Sequence, residues 1–266
     1  MTEHFVPRTF GRQAFGLDPA GYDAARPAYP DWVFDFLRDR CGLAPHTATF
    51  EIGAGTGTAT RRLLQLGANP LLAVEPDERL AAFLRKTIPD TALTVIVAPF
   101  EEAGLPEASF DLGLSATAFH WLSEDFALTK VTKLLRPGGW WAMLWNVFGD
   151  SRRPDPFHEA TKFLVNQPLS PSAGNGEVPF ALDAEARVAA LERTQAFDLV
   201  EYQTSAWSLV LDPNETAALY ATYSNINIRP DREHVLHELR RIAREEFQGR
   251  VTRNMVTSLY AARRRP

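Results

Sequence analysis

From residue 46 to 149 the hydrophobic positions alternate between two rhythms. Short apolar runs have the length and the β-branched or aromatic content of strands: ATFEI (48–52), LLAVE (71–75), LTVIVA (93–98), FDLGLSA (110–116) and WWAMLW (140–145). Between them, apolar side chains return every three or four positions. Residues 58–66 predict a helix that stops at Gly67, because glycine accepts the left-handed conformation of a helix end. Residues 78–88 predict a second, with Leu80, Ala81, Leu84 and Ile88 on one face and Pro89 closing it. Residues 123–135 predict a third, with Leu128, Val131, Leu134 and Leu135 inward, ending at Arg136-Pro137-Gly138-Gly139. LTVIVA is mostly apolar, as expected of a strand buried on both faces. Five strands joined through helices imply parallel βαβ units, since a parallel strand needs a crossover to return. The fold class is therefore α/β, doubly wound.

The rhythm changes after residue 150. Residues 155–165 read as a helix, 167–180 as a loop rich in Pro, Gly, Ser and Asn, and 183–194 as a helix. A strand is expected at 199–211. Next comes a helix at 212–224 that opens with Asp212 as N-cap, Pro213 at the first helical position and Glu215 at the capping-box position. A helix over 231–248 points Val235, Leu239, Ile242 and Phe247 to one side, and MVTSLYAA (255–262) ends the chain as a strand. The two late strands predict an antiparallel closing pair. They bring a mostly parallel, Rossmann-like sheet to seven strands with an antiparallel final one, and the intervening helices form a cap. The expected organisation is a flap and first helix at 1–45, the α/β core at 46–149, a helical cap at 150–250 and the last strand at 251–266.

Composition narrows the function classes. The chain has 266 residues, 45% of them hydrophobic and 23% charged, which is ordinary globular usage. Its single cysteine, Cys41, offers neither an internal disulfide nor a thiolate cluster, and fits a reducing compartment. The opening MTEHFVPRTFGRQAFG lacks the apolar region of a signal peptide, and no apolar run approaches a membrane span, so a cytoplasmic protein without a membrane partner is expected. A net charge of −5 argues against nucleic acid as a partner. The charge is uneven: residues 229–266 hold ten arginines and no lysine against five acids, a local +5, which leaves −10 for the preceding 228 residues. Either a solvated helix face with a basic tail or a docking surface for an anionic partner accounts for it. The six histidines, His4, His46, His120, His158, His234 and His237, are scattered, and no metal site is expected.

The most informative stretch is Glu51-Ile52-Gly53-Ala54-Gly55-Thr56-Gly57, directly between a strand and a helix. In an open α/β sheet, ligands sit beyond the carboxyl ends of the strands, and glycine lets backbone approach a bound molecule closely. Glu75 ends the next strand, 22 residues beyond Gly53, where a carboxylate can accept hydrogen bonds from a ribose diol. After the third strand, Ala98-Pro99-Phe100-Glu101 sets an aromatic face and an acid beside the neighbouring strand end. The spacing is GxGxG, without the GxGxxG turn that cradles a pyrophosphate or the GxxxxGK[ST] of a phosphate-binding loop. A nucleoside without phosphates is favoured.

These residues resemble the class I S-adenosylmethionine-dependent methyltransferases, and more narrowly the small-molecule branch that includes trans-aconitate-type enzymes. The resemblance rests on Tyr22-Asp23-Ala24-Ala25-Arg26-Pro27-Ala28-Tyr29-Pro30, the EIGAGTG turn, Glu75-Pro76, SFDLGLSATAFHWL (109–122) and LLRPGG, so it covers roughly residues 20–145. It implies S-adenosylmethionine as cofactor and S-adenosylhomocysteine as product. Glu51, Gly53, Ala54, Gly55 and Gly57 would surround the methionine and ribose portion. Glu75, beside Pro76, would hold the ribose hydroxyls, Phe100 with Glu101 would border the adenine, and Ser115 and Ala116 would present backbone to the ligand. Arg26 would either pair with the cofactor carboxylate or make a surface ion pair.

For the methyl acceptor the resemblance implies a small molecule, with an oxygen nucleophile such as a carboxylate or a phenol. His120 is a candidate base or substrate orienter, with helix capping as the plain alternative. Tyr22, Trp121, Trp145 and Tyr223 either line an aromatic acceptor cavity or pack in the core, and Tyr22 and Tyr29 are candidates to close over the cofactor. Two other functions share parts of the pattern. One is a non-catalytic cofactor-binding or partner-docking protein that uses the basic C-terminal helix. The other is a nicotinamide-dependent reductase, which the GxGxG turn and the absence of a Tyr-x-x-x-Lys pair disfavour.

Overall fold

The structure, a computed structural model, describes residues 6–9, 14–150, 152–166, 168–174 and 178–266. His4, the first residues of the expected flap, Arg12 within it, and Gln167 and 175–177 of the expected loop lie outside the described residues. Seven strands form one sheet: β1 (Thr47–Ile52), β2 (Ala68–Val74), β3 (Leu93–Ile96), β4 (Phe110–Ala116), β5 (Leu135–Phe148), β6 (Phe197–Leu211) and β7 (Val251–Arg264). Their order is β3-β2-β1-β4-β5-β7-β6. Neighbours from β3 to β5 pair in parallel, and β7 runs antiparallel to both β5 and β6. This is the doubly wound α/β architecture that the alternation of runs predicts, with the antiparallel last strand in place.

The helices are α1 (Pro19–Ala25), α2 (Asp31–Asp39), α3 (Thr58–Gln65), α4 (Glu78–Thr87), α5 (Glu124–Leu134), α6 (Pro156–Val165), α7 (Ala184–Arg193), α8 (Pro213–Tyr220), α9 (Ser224–Asn227) and α10 (Arg232–Glu245). Strand periodicity of two sorts the sheet's side chains between two cores. On one face Trp141, Met143 and Trp145 of β5 meet Leu128 and Val131 of α5 and Leu191 of α7. On the other, Leu112 and Leu114 of β4 and Ala142 and Leu144 of β5 meet Phe34 and Leu37 of α2 and Leu63 of α3. A third core lies within the cap, where Phe157, Leu219, Val235, Leu239 and Ile242 bury one another. The Asp212 capping box forms as read, with Asp212 accepting from Asn214 and Glu215 and Glu215 accepting from Asp212 N–H.

Two expectations change. β3 is four residues long and only half-buried, because it is the sheet's outer edge and has a strand on one side alone. Its apolar run is therefore no sign of burial on both faces. β7 extends to 14 residues because it pairs with β6 along its whole length and with β5 from Trp140 to Phe148. The basic C-terminal segment is partly paired: Arg241 with Glu238 and Glu245 inside it, and Arg263 with Asp198 and Arg253 with Asp155 outside it, the last pair buried. Among the described residues no helix is long and apolar enough to cross a membrane, and no group of three or more His, Cys, Asp or Glu could hold a metal ion.

Candidate active site

The carboxyl ends of β1, β2 and β4 open onto a cavity that is continuous with solvent. Its floor is the glycine turn. Gly53, Gly55 and Gly57 all have left-handed backbone, with φ of 69°, 60° and 93°, a region that costs side-chain-bearing residues energy. They do different work. A Cβ on Gly53 would sit 2.4 Å from that of Ala118, whereas one on Gly55 would meet no protein atom and project into open space. Gly57 turns away from the cavity and would collide with Leu84 of α4 and Ile88 just past its end, so its lack of a side chain serves packing.

The acid just past β2 holds this turn together. Glu75 accepts a hydrogen bond from Gly55 N–H at 2.8 Å and another from Asp77 N–H at 2.9 Å, one on each carboxylate oxygen. It is 3% exposed, and burial raises its pKa to about 7 against the pull of those two amides. Glu51, 1% exposed on β1, accepts from Thr60 Oγ1 at 2.6 Å. Burial is the main reason its pKa rises to about 8, and the nearby Glu75 adds to it. Both acids line the cavity, with Ile52, Ala54, Thr56, Pro76, Leu80, Pro99, Phe100 and Ala116.

A strap formed by residues 14–30, carrying α1, supplies the opposite wall through Phe15, Tyr22, Arg26, Pro27 and Tyr29. Tyr29 Oη lies 2.7 Å from Thr117 Oγ1 at the end of β4, and burial pushes the phenol's pKa up. Arg26 donates from Nη2 to Thr222 O at 3.0 Å, and its guanidinium lies within 5.6 Å of the ring centres of Tyr22, Phe148 and Tyr223. Its Nε is buried with no partner among the described residues, as is Thr56 Oγ1. The surface ion pair considered for Arg26 is absent among the described residues; the aromatic surround takes its place. Trp121 joins the lining beside Phe15, with ring centres 5.9 Å apart.

Several expected residues lie outside the lining. His120 is buried behind it, and its Nδ1 accepts from Trp145 Nε1 at 3.1 Å, so the proton on the neutral ring belongs on Nε2. Burial drives its pKa down to about 3, helped by repulsion from Arg26 and Arg8, which leaves it neutral at pH 7. Trp145 is a core residue for the same reason. Tyr223 stands behind Arg26 and packs on Phe148. Ser115 is fully buried and donates to Ile52 O at 3.1 Å, which ties β4 to β1. Glu101 follows Phe100 outside the cavity. Residues the sequence reading passed over also line it: Phe15, Thr56, Leu80, Thr117, Asn146 and Phe148. Asn146 carried one usable signal, a polar residue at the carboxyl end of an otherwise apolar strand. Lys130 of α5 works from behind: its ammonium donates to Phe100 O at 2.6 Å and Ala103 O at 2.7 Å, which fixes the turn that presents Phe100.

A cavity over a glycine turn at the strand ends is common to many α/β proteins, so comparison with known sequences narrows what kind this is. Residues 50–143 match the methyltransferase domain family. The matched stretch makes up about a third of the chain. It contains the glycine turn, Glu75, Phe100 and the β4 end. The chain is 34% identical over 133 residues to an uncharacterised methyltransferase of Mycobacterium tuberculosis, covering 50% of this chain and 52% of that protein. It is 31% identical over 142 residues to an uncharacterised methyltransferase-like protein of Schizosaccharomyces pombe, covering 52% and 54%. The aligned stretch thus spans about half the length of the curated relatives it matches. Among solved structures, phosphoethanolamine N-methyltransferase 2 of Haemonchus contortus superposes with a TM-score of 0.60 at 14% identity, over 94% of this chain and 58% of that one. That superposition shows that the two chains share a fold, and the stretch over residues 50–143 is similar to methyltransferase domains. The matches do not single out the trans-aconitate branch.

Proposed function

We propose that the protein is an S-adenosylmethionine-dependent methyltransferase acting on a small molecule through an oxygen nucleophile, a carboxylate or a phenol. The observation that carries this is the pairing of Gly55, whose side-chain direction is open, with Glu75, whose carboxylate borders the same cavity. After accepting two amide protons, Glu75 still has lone-pair sites for a ribose diol. The orphaned Arg26 Nε and Thr56 Oγ1 are buried donors that gain a partner when an anionic group such as the cofactor carboxylate enters, and leaving them unpaired costs energy. Phe100, Leu80 and Pro99 provide apolar surface suited to an adenine. The solved Haemonchus contortus relative holds phosphomonomethylethanolamine and S-adenosylhomocysteine.

When bound, the cofactor supplies a methyl group already activated on a sulfonium, so the reaction is a displacement. The chain's task is to orient the acceptor and exclude water. Phe15, Tyr22, Trp121 and Phe148 form the aromatic wall for the acceptor. A carboxylate arrives ionised and needs no base, which suits a wall whose nearest histidine has its Nδ1 engaged by Trp145 and its basicity suppressed. A carboxylate is therefore favoured over a phenol. Incubation with methyl-labelled S-adenosylmethionine and a metabolite extract tests this: the expected product is a labelled ester released by mild base. A base-stable labelled ether would indicate the phenol. Failure of S-adenosylhomocysteine to bind in calorimetry would refute the proposed function.

A further inference from the structure

Asn146 stands on β5 at the cavity, yet its carboxamide is committed to protein. Its Nδ2 donates to Pro27 O at 3.3 Å and to Ala28 O at 3.2 Å, and its Oδ1 accepts from Thr257 Oγ1 at 2.6 Å. Thr257 Oγ1 in turn accepts from Trp207 Nε1 at 2.9 Å. Indole N–H can only donate and backbone carbonyls can only accept, so the chain has a single polarity, from β6 through β7 and β5 to the strap. That polarity also fixes the orientation of the Asn146 amide. Both amide protons are used, so Asn146 keeps none for a ligand.

The two carbonyls it holds lie between the strap's functional side chains. Pro27 follows Arg26, and Ala28 precedes Tyr29, which is bound to Thr117. We propose that Asn146 is a positioning residue: it pins the strap to the sheet and so sets Arg26 against the ligand cavity. This rests on the cofactor reading for its functional effect, while the anchoring itself does not depend on it. Asn146→Asp is the sharp perturbation, because it is isosteric, keeps an acceptor for Thr257 and replaces the donor with a carboxylate facing two carbonyls.

Hydrogen exchange on the ligand-free protein reads the anchoring. In Asn146→Asp the amide of Arg26, which donates to Tyr22 O at 3.1 Å, should exchange at least about tenfold faster than in wild type, while β5 and β7 amides keep their rates. Should that variant fail to fold, Thr257→Val should give the same change at smaller size. Calorimetry with S-adenosylhomocysteine on wild type, Asn146→Asp, Arg26→Ala and the double variant then tests the route. Asn146→Asp should weaken binding by about tenfold, and by no more than about threefold once Arg26 is gone, because interacting residues are non-additive. A general structural defect would instead multiply with the loss of Arg26, and that result, or unchanged strap exchange, would overturn the proposal. Wild-type protein that binds no S-adenosylhomocysteine would sink the cofactor reading, and the exchange comparison would still decide the anchoring.

Discussion

Replacing Glu75 with alanine separates its two tasks. The first is toward the ligand: hydrogen bonds between neutral hydroxyls and a charged acceptor contribute about 1.5–3 kcal/mol. Losing one such contact weakens S-adenosylhomocysteine binding by roughly 10- to 150-fold, at about 1.4 kcal/mol per factor of ten. The second is toward the protein: Gly55 N–H and Asp77 N–H both lose their acceptor. An unsatisfied buried donor costs about 1–3 kcal/mol, but the vacated space opens to the cavity and admits water. The low end of that range therefore applies, and removing a buried carboxyl offsets part of it. Titration calorimetry at pH 8, where the wild-type carboxylate is mostly ionised given a pKa of about 7, measures the first task. Denaturant unfolding measures the second. Glu75→Gln is the informative control, since one of its polar ends is an amide that must face a backbone N–H. It should lose affinity nearly as badly as alanine. Binding within twofold of wild type in both variants would refute the placement of the ribose at this carboxylate.

Other perturbations follow from the same geometry. Gly55→Val should abolish S-adenosylhomocysteine binding while circular dichroism keeps its helical signal; its cost is about 1–3 kcal/mol for a branched residue at φ of 60°, and near-normal affinity would contradict the open face of the turn. Glu51 holds its proton up to about pH 8 in the fold, against 4.5 for an ordinary glutamate carboxyl. The native state thus binds more protons than the unfolded chain between those limits, and wild type loses up to about 1.4 kcal/mol of stability for each pH unit climbed. Glu51→Gln does not titrate, so in scanning calorimetry its melting temperature relative to wild type should climb from about pH 5 to about pH 8 and then level off. Lys130→Met should cost roughly 1–3 kcal/mol in denaturant unfolding, because the Phe100 and Ala103 carbonyls lose a charged donor. It should also weaken S-adenosylhomocysteine binding, and unchanged values would show that the Phe100 turn holds itself.

The parts of the molecule readable in the sequence are those governed by short-range pattern. Apolar runs and three-to-four spacing located six of the seven strands to within about four residues at either end, and Asp212 with Glu215 announced its cap outright. The glycine turn and Glu75 were legible because the strand-end rule links their spacing to one sheet edge. What escaped depends on partners remote in sequence. Tyr29 meets Thr117, Asn146 meets Pro27 and Lys130 meets Phe100, pairs separated by 30 to 119 residues for which no local pattern exists. His120 was misplaced because an indole 25 residues away claims its Nδ1. The edge position of β3 was invisible because an apolar run does not record how many neighbours a strand has.

The cap's separate core has an evolutionary corollary. Phe157, Leu219, Val235 and Leu239 pack on one another and not on the glycine turn, so exchanges among them are absorbed within the cap. They reach the ligand chamber through Thr222 and Arg26, or through Phe148. A lineage can therefore vary the cap side of the chamber while the glycine turn and Glu75 stay fixed.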